Sequence, residues 1–287
     1  MSPIDPSLRI RSVTLAVAEL PRSAEFYERV LGLRLLAREE RTAQLGAGGG
    51  AAALTLVELD AATPLPPRAS GLYHVAWLHP SRAALAHTVR RVAAARWPFE
   101  GASDHGVSEA LYLSDPDGLG IEIYADRPRS QWERPADGHG VRMVTLPLDV
   151  KDLLAQSSDA PPPRIDSQAA IGHVHLKVSD VPRALAFYRD ALGFEEQARL
   201  PSAAFLSAGG YHHHVGLNSW QSRGAGSPPE DSPRLRRVEF ELGDAEALAQ
   251  LGSRLSGVVG RAAARTAGDG CLFLRDPDGL LLCFRLR

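Results

Sequence analysis

Pro21-Arg-Ser-Ala-Glu-Phe-Tyr-Glu-Arg-Val-Leu-Gly32 and Pro182-Arg-Ala-Leu-Ala-Phe-Tyr-Arg-Asp-Ala-Leu-Gly193 are two copies of one segment, 161 residues apart. The same offset relates Asp115-Pro-Asp-Gly118 to Asp276-Pro-Asp-Gly279, and Ile10-Arg-Ser-Val-Thr-Leu15 to Ile171-Gly-His-Val-His-Leu176. One offset that holds at both ends of a long stretch is the mark of an internal duplication. It predicts two homologous domains, residues 1–126 and 168–287, joined by a linker with some ordered pieces, residues 127–167.

Each copy carries a helix signal. Pro21 and Pro182 suit a first helical turn, where the missing N–H costs nothing. Ala24, Phe26, Tyr27, Val30 and Leu31 recur near helical period, as do Leu185, Phe187, Tyr188 and Leu192. Gly32 and Gly193 follow where a C-terminal cap is expected. Alternating strands precede these helices at Val13–Val17 and Val174–Val178, and further strands are expected around Ala52–Leu59 and Ala204–Ser207. The stretches opening near Leu72 and Leu235 repeat the plan, with helices expected over Ser81–Ala95 and Ala245–Leu255, then strands around each Asp-Pro-Asp-Gly turn. The chain thus reads as four modules of strand, helix and strands. Pro-rich loops, Asp60–Ser70 and Ser227–Pro233, divide the two halves internally.

Composition bounds the function. The chain has 287 residues, 44% of them hydrophobic and 23% charged, with a net charge of −2. That fits a soluble globular protein and argues against a general nucleic-acid binder. No apolar run approaches the ~18 residues of a membrane span, and residues 1–11 lack the apolar core of a signal peptide. Cys271 and Cys283 are the only cysteines, so no disulfide framework exists, as expected of a reducing, cytoplasmic setting.

Seven of the ten histidines fall in four places: His74, His105, the pair His173 and His175, and the run His212–His214. The period of two puts His173 and His175 on one strand face. Glu122 lies on the strand after the first Asp-Pro-Asp-Gly turn. If Ile121 and Ile123 face the helices, Glu122 faces the other side of the sheet. Two histidines and one carboxylate with open positions form the facial arrangement preferred by non-heme Fe(II) oxygen chemistry.

At these residues the sequence resembles the vicinal oxygen chelate superfamily and, more narrowly, bacterial catechol 2,3-dioxygenases, which are extradiol ring-cleaving enzymes. The most specific part runs from His105 through Tyr112, Asp115, Pro116 and Gly118 to Glu122. Ser103 is a minor departure, where the family usually has a small or branched residue such as Gly. Gly71-Leu-Tyr-His74, Ile171-Gly-His-Val-His175 and Ala208-Gly-Gly-Tyr-His-His-His214 are also family-like. The resemblance covers nearly the whole chain. It implies an α+β fold of four βαβββ modules in two homologous domains, with curved mixed sheets enclosing a metal site.

The offset shows how the implied site is divided. His173 pairs with Ser12, His213 with Ala52, Glu122 with Cys283, Tyr112 with Phe273 and His105 with Thr266, and the fourth module opens on Arg234-Leu-Arg-Arg with no histidine. Modules 2 and 3 therefore hold complementary halves of one set, and a complete site requires that they pair. The resemblance then implies His74, Glu122 and His173 as metal ligands, for Fe(II) or Mn(II). His213, or His214 one residue on, is the acid–base group, and His105 and Tyr112 contact the substrate. His175 is a pocket or packing residue, His212 an ordinary packed one, and Glu109 an ion-pair partner. Modules 1 and 4 are expected to be structural or to gate access. The implied partners are a catechol-like diol and O2, with a homo-oligomer possible and no nucleic-acid or membrane partner. Two alternatives stay open: a glyoxalase-type isomerase or lyase, with Glu58 supplying a second carboxylate, and a non-catalytic, drug-sequestering binder.

Overall fold

The computed structural model describes residues 3–48, 50–136, 138–158, 160–258, 265–266 and 270–287. Parts of both expected domains and two positions of the linker, 137 and 159, lie outside that set.

Four βαβββ modules follow one another along the chain. Module 1 comprises β1 (Arg9–Val17), α1 (Leu20–Arg29), β2 (Arg34–Arg38), β3 (Thr42–Gly46) and β4 (Leu54–Glu58). Module 2 comprises β5 (Gly71–His79), α2 (Arg82–Ala94), β6 (Gly101–Asp104), β7 (Ser108–Ser114) and β8 (Gly120–Asp126). The linker contributes β9 (Leu146–Pro147) and α3 (Val150–Ala155). Module 3 comprises β10 (Ala170–Lys177), α4 (Val181–Ala186, continued by a π-helical turn Phe187–Ala191), β11 (Glu195–Leu200), β12 (Ala203–Ser207) and β13 (Val215–Asn218). Module 4 comprises β14 (Arg234–Leu242), α5 (Ala245–Val258), β15 (Arg265–Thr266), β16 (Leu272–Arg275) and β17 (Leu281–Leu286).

In every module the first strand pairs in parallel with the last, and the strands between run antiparallel. The modules then join through their first strands. β1 pairs antiparallel with β14, giving an eight-stranded sheet from modules 1 and 4. β5 pairs antiparallel with β10, giving a nine-stranded sheet from the eight strands of modules 2 and 3 and, at its edge, β9 of the linker. Each sheet therefore takes one module from each sequence repeat. We call them the outer-module sheet and the inner-module sheet.

The helices cover one face of each sheet, and a single continuous apolar core lies beneath them. Strand parity decides what enters it. Val75, Trp77, Ile121, Ile123 and Val174 are buried there, each large side chain contributing about 2 kcal/mol of burial. Alternate residues point to the opposite, cupped face.

The segments most alike in the two repeats touch each other. Tyr27 of α1 donates its hydroxyl to Asp115 (3.1 Å), and Tyr188 donates to Asp276 (3.1 Å). Each of these aspartates also accepts backbone N–H groups inside its own Asp-Pro-Asp-Gly turn. Asp117 accepts from Ala18 N–H just before α1, and Asp278 from Ser179 N–H just before α4. Gly32 and Gly193 adopt φ of +81° and +87°, the left-handed stop expected after each helix. Helix-to-turn locks thus act within a repeat, while sheet pairing acts between repeats. No helix among the described residues is long and apolar enough to cross a membrane.

Candidate metal centre and substrate pocket

The pairing of β5 with β10 assembles the site. His74 lies opposite His175, and Ala76 opposite His173. On the other side of β5, Ala76 lies beside Glu122 of β8. Ala76 is small, so His173 and Glu122 converge above it from neighbouring strands. His74 Nε2 is 2.9 Å from Glu122 Oε2, His173 Nε2 is 3.2 Å from the same oxygen, and the two Nε2 atoms are 3.3 Å apart. All three side chains are buried. They are the group of His, Cys, Asp or Glu residues that could hold a metal among the described residues.

The electrostatics fit a dication. Among the described residues no Arg or Lys forms an ion pair with Glu122; its ionic partners are His74 and His173. Burial lowers the His173 imidazole to about 4, so it is neutral near pH 7. Burial alone would raise the Glu122 carboxyl, but its two histidines hold it well below the usual range. A buried, ionised carboxylate with no Arg or Lys partner among the described residues is costly in a low-dielectric site. Two imidazole nitrogens and one carboxylate oxygen on one side, with the other side open, suit a divalent transition metal.

The remaining predicted residues surround this cluster. Tyr112 of β7 lies opposite Glu122, with its ring 5.6 Å from that of His74. His105 Nδ1 donates to the Val144 carbonyl (2.7 Å), so its Nε2 accepts from the Tyr112 hydroxyl (2.7 Å). The linker thereby orients His105, a role invisible in the local sequence. His213 packs against His173, with ring centroids 4.0 Å apart and the rings tilted by 45°. His214 is turned differently: its Nδ1 accepts from Ala208 N–H (3.1 Å) and its ring lies 5.0 Å from Tyr211. Of the two, His213 is the one beside the cluster. His175 sits 5.0 Å from His74, and its Nε2 is buried without a hydrogen-bond partner. Burial and the neighbouring histidines keep both His175 and His213 well below the ordinary imidazole range. Glu109 pairs with Arg82 (2.5 Å) and Arg127 (3.0 Å). Glu58 lies on β4, in the outer-module sheet.

Several residues of the site went unnoticed in the sequence. His212, read there as ordinary packing, bridges Asp126 and His213: its Nε2 is 2.9 Å from Asp126 Oδ1 and its Nδ1 is 2.7 Å from His213 Nδ1. A carboxylate can only accept, so His212 donates through Nε2 and accepts through Nδ1. His213 then donates through Nδ1, which leaves a lone pair on its Nε2. The Tyr211 hydroxyl, 2.8 Å from that of Tyr124, also donates to Asp126 (3.3 Å). Tyr124 packs 4.9 Å from His173. Its hydroxyl fills the space over Gly172, where a Cβ would lie only 1.8 Å away. Strand parity could have found Tyr124, which shares a face with Glu122. Tyr73, Phe205 and the half-exposed Trp220 form an aromatic wall around His175.

Comparisons with known proteins agree with this architecture. The sequence model of the Glyoxalase/Bleomycin resistance protein/Dioxygenase superfamily matches residues 9–123 and again 170–284. A catechol-2,3-dioxygenase of Bacillus subtilis (strain 168) is 42% identical over 258 residues, covering 89% of this chain and 90% of that protein. Among solved structures, glyoxalase I from Zea mays superposes with a TM-score of 0.58 at 17% identity, over 97% of this chain and 92% of that one. The cppA protein from Streptococcus pneumoniae TIGR4 does so with a TM-score of 0.58 at 13% identity, over 97% and 98%. At these identities the structural matches speak to fold alone.

Proposed function

This chain belongs to the Glyoxalase/Bleomycin resistance protein/Dioxygenase superfamily, and on that premise we propose that it is an extradiol dioxygenase, inserting O2 into a catechol-type diol at a non-heme Fe(II) site. The observation that carries the reading is the buried His74–Glu122–His173 cluster, beside His213 on one flank and the His105–Tyr112 pair on the other. The 42% identity to a catechol-2,3-dioxygenase along nearly the full length supports the same chemistry.

When bound, the metal supplies open positions for a chelating diol and for O2. The protein's residues do the rest. His213 Nε2, left with its lone pair by the Asp126–His212 chain, accepts a diol proton and can return it later in the cycle. On the other side Tyr112, its proton donated to His105, offers its hydroxyl oxygen as acceptor to a substrate hydroxyl, and His105 positions it. Tyr73, Phe205 and Trp220 offer flat apolar surface to an aromatic ring and help to exclude water. Mn(II) accepts the same donors as Fe(II). The isomerase alternative loses its second carboxylate, because Glu58 is on the other sheet.

The test is anaerobic purification, loading with one equivalent of Fe(II), and addition of catechol with O2 uptake and ring-opened product followed together. Uptake matched one-to-one by a coloured semialdehyde is expected. Absence of uptake with the metal bound, for catechol and for a panel of substituted catechols, overturns the reading.

A further inference from the structure

The cupped face of the outer-module sheet has no assigned role, and it contains a cavity. Pairing across that sheet sets Arg275 beside Leu281, Leu281 beside Arg237, Arg237 opposite Thr14 and Thr14 beside Thr55. This row corresponds, strand for strand, to the row of the inner-module sheet in which His74 faces His175 and His175 lies beside Gly216. Arg237 occupies the place of His74, and Thr14 that of His175. All five residues of the outer row line a cavity of about 640 Å³, within the ~300–1,000 Å³ range of small-molecule sites. The ends of β5 and β10 and the loop around Ser227–Glu230 wall it off. The duplicated scaffold therefore keeps this row in both sheets, with different chemistry along each.

The charges on the lining select the ligand class. Lys177, Arg234, Arg236, Arg237 and Arg275 contribute cations, Arg237 also lying 3.7 Å from Glu239, against Glu230, Asp276 and Asp278. Two of the three carboxylates are occupied by the fold itself: Asp276 by Tyr188 and its turn, Asp278 by Ser179 and Arg183. Arg234 donates to the Pro229 and Ser232 carbonyls, and Arg275 to that of Gly279. These contacts hold the guanidinium groups in place without neutralising them. Lys177 and Arg236 make no ion pair among the described residues, and burial lowers the Lys177 ammonium from its ordinary value. Between the cations the wall is apolar: Val57, Leu176, Val178, Leu235, Leu280 and Leu281. Fixed guanidinium groups bind carboxylates through paired N–H donors, and an apolar wall takes an apolar body.

We propose that this cavity is a second small-molecule site, selective for an amphipathic carboxylate, in which Arg237 stands where the inner-module sheet carries His74 and further cations line the walls. It is independent of the reaction assigned to the inner-module sheet.

Calorimetric titration of the metal-loaded protein tests this, with benzoate as probe and uncharged benzamide and inorganic phosphate as controls. Benzoate should bind at one site more tightly than either control. Lys177→Gln/Arg236→Gln should weaken it by about 10-fold or more, with the melting temperature and catechol turnover unchanged. Arg237→Ala should weaken it as well. Glu122→Ala, which removes the metal centre, should leave benzoate affinity intact and so separate the two pockets. The proposal is overturned if benzoate does not bind, if its affinity is unchanged in the double variant, if it is lost with Glu122→Ala, or if phosphate or benzamide binds equally well.

Discussion

The two sheets share strand order, parallel and antiparallel pairing, and register at their central strands, yet their cups differ in how buried charge is handled. In the outer-module sheet the buried carboxylate at the centre of its row is Glu239, opposite Ser12 and beside Cys283. Arg11 (3.2 Å), Arg285 (3.3 Å) and Arg237 (3.7 Å) surround it. In the inner-module sheet the place of Glu239 belongs to Ala76, and the carboxylate has moved one strand over to Glu122, where only histidines meet it. Cys283, in the position of Glu122, is a neutral thiol pushed up to about 12 by burial. One backbone thus supports two solutions: a carboxylate neutralised by the protein's own guanidinium groups, and one met by histidines alone, where the proposed metal would supply the opposing charge. The scaffold sets positions, and a few side chains decide whether those positions attract a metal.

The strongest way to break this contrast is to swap out the carboxylate side chains. Glu122→Ala should abolish metal retention, measured by elemental analysis, together with turnover, while the fold persists by circular dichroism. Cys283→Ala, the matching change in the other sheet, should leave the metal content at one equivalent. Metal retained in Glu122→Ala would mean that the centre lies elsewhere.

A smaller effect sharpens the roles around the centre. His213→Ala should lower turnover by about 10²–10⁴-fold with metal still bound. His212→Gln and Asp126→Asn should lower it by about 10-fold, because the lone pair of His213 would no longer be fixed on Nε2. Equal turnover in wild type and His212→Gln would remove the hydrogen-bonded chain from the catalytic account.

Acid should separate the sheets next. All ten histidines lie between residues 74 and 214, none in modules 1 or 4. His79 is buried, donating through Nδ1 to the Trp77 and Tyr124 carbonyls and accepting from Thr88. Burial lowers its imidazole from 6.5 to about 4, and that of His214 to about 3. The unfolded chain takes up these protons before the folded one does. The stability of the metal-free protein should therefore be level above about pH 6.5 and fall as the pH drops toward about 4, by up to about 1.4 kcal/mol per pH unit for each such histidine. Urea melts across this range measure the slope. Hydrogen exchange should show the inner-module sheet opening first.

The smallest expected effects are equal ones. Tyr27→Phe and Tyr188→Phe each remove one buried hydrogen bond to an Asp-Pro-Asp-Gly turn and should each cost about 1 kcal/mol. A marked inequality between them would show that the repeats are not held alike.

Much of this was written in the chain. The shared offset marked the duplication and its modules, and Pro21, Gly32 and their copies marked the helix ends. Alternation along Ile121-Glu-Ile123 and His173-Val-His175 turned the polar side chains to the face away from the helices. These are local matters, because side-chain direction in a strand follows its own period and a turn follows its own residues. His212 and Tyr211 could not be read in that way. Their partner Asp126 is some eighty residues distant in sequence and meets them only because the end of β8 lies beside the loop before β13. The same holds for Val144, which orients His105 from the linker.

The modules, the faces and a divided set of candidate ligands follow from the order of residues along the chain. The pairing of β5 with β10 and of β1 with β14 belongs to the folded molecule. Strand partnership is a contact between distant segments, chosen by which edges and apolar faces fit together. No local period encodes that choice, and it turns two half-sets of residues into one centre.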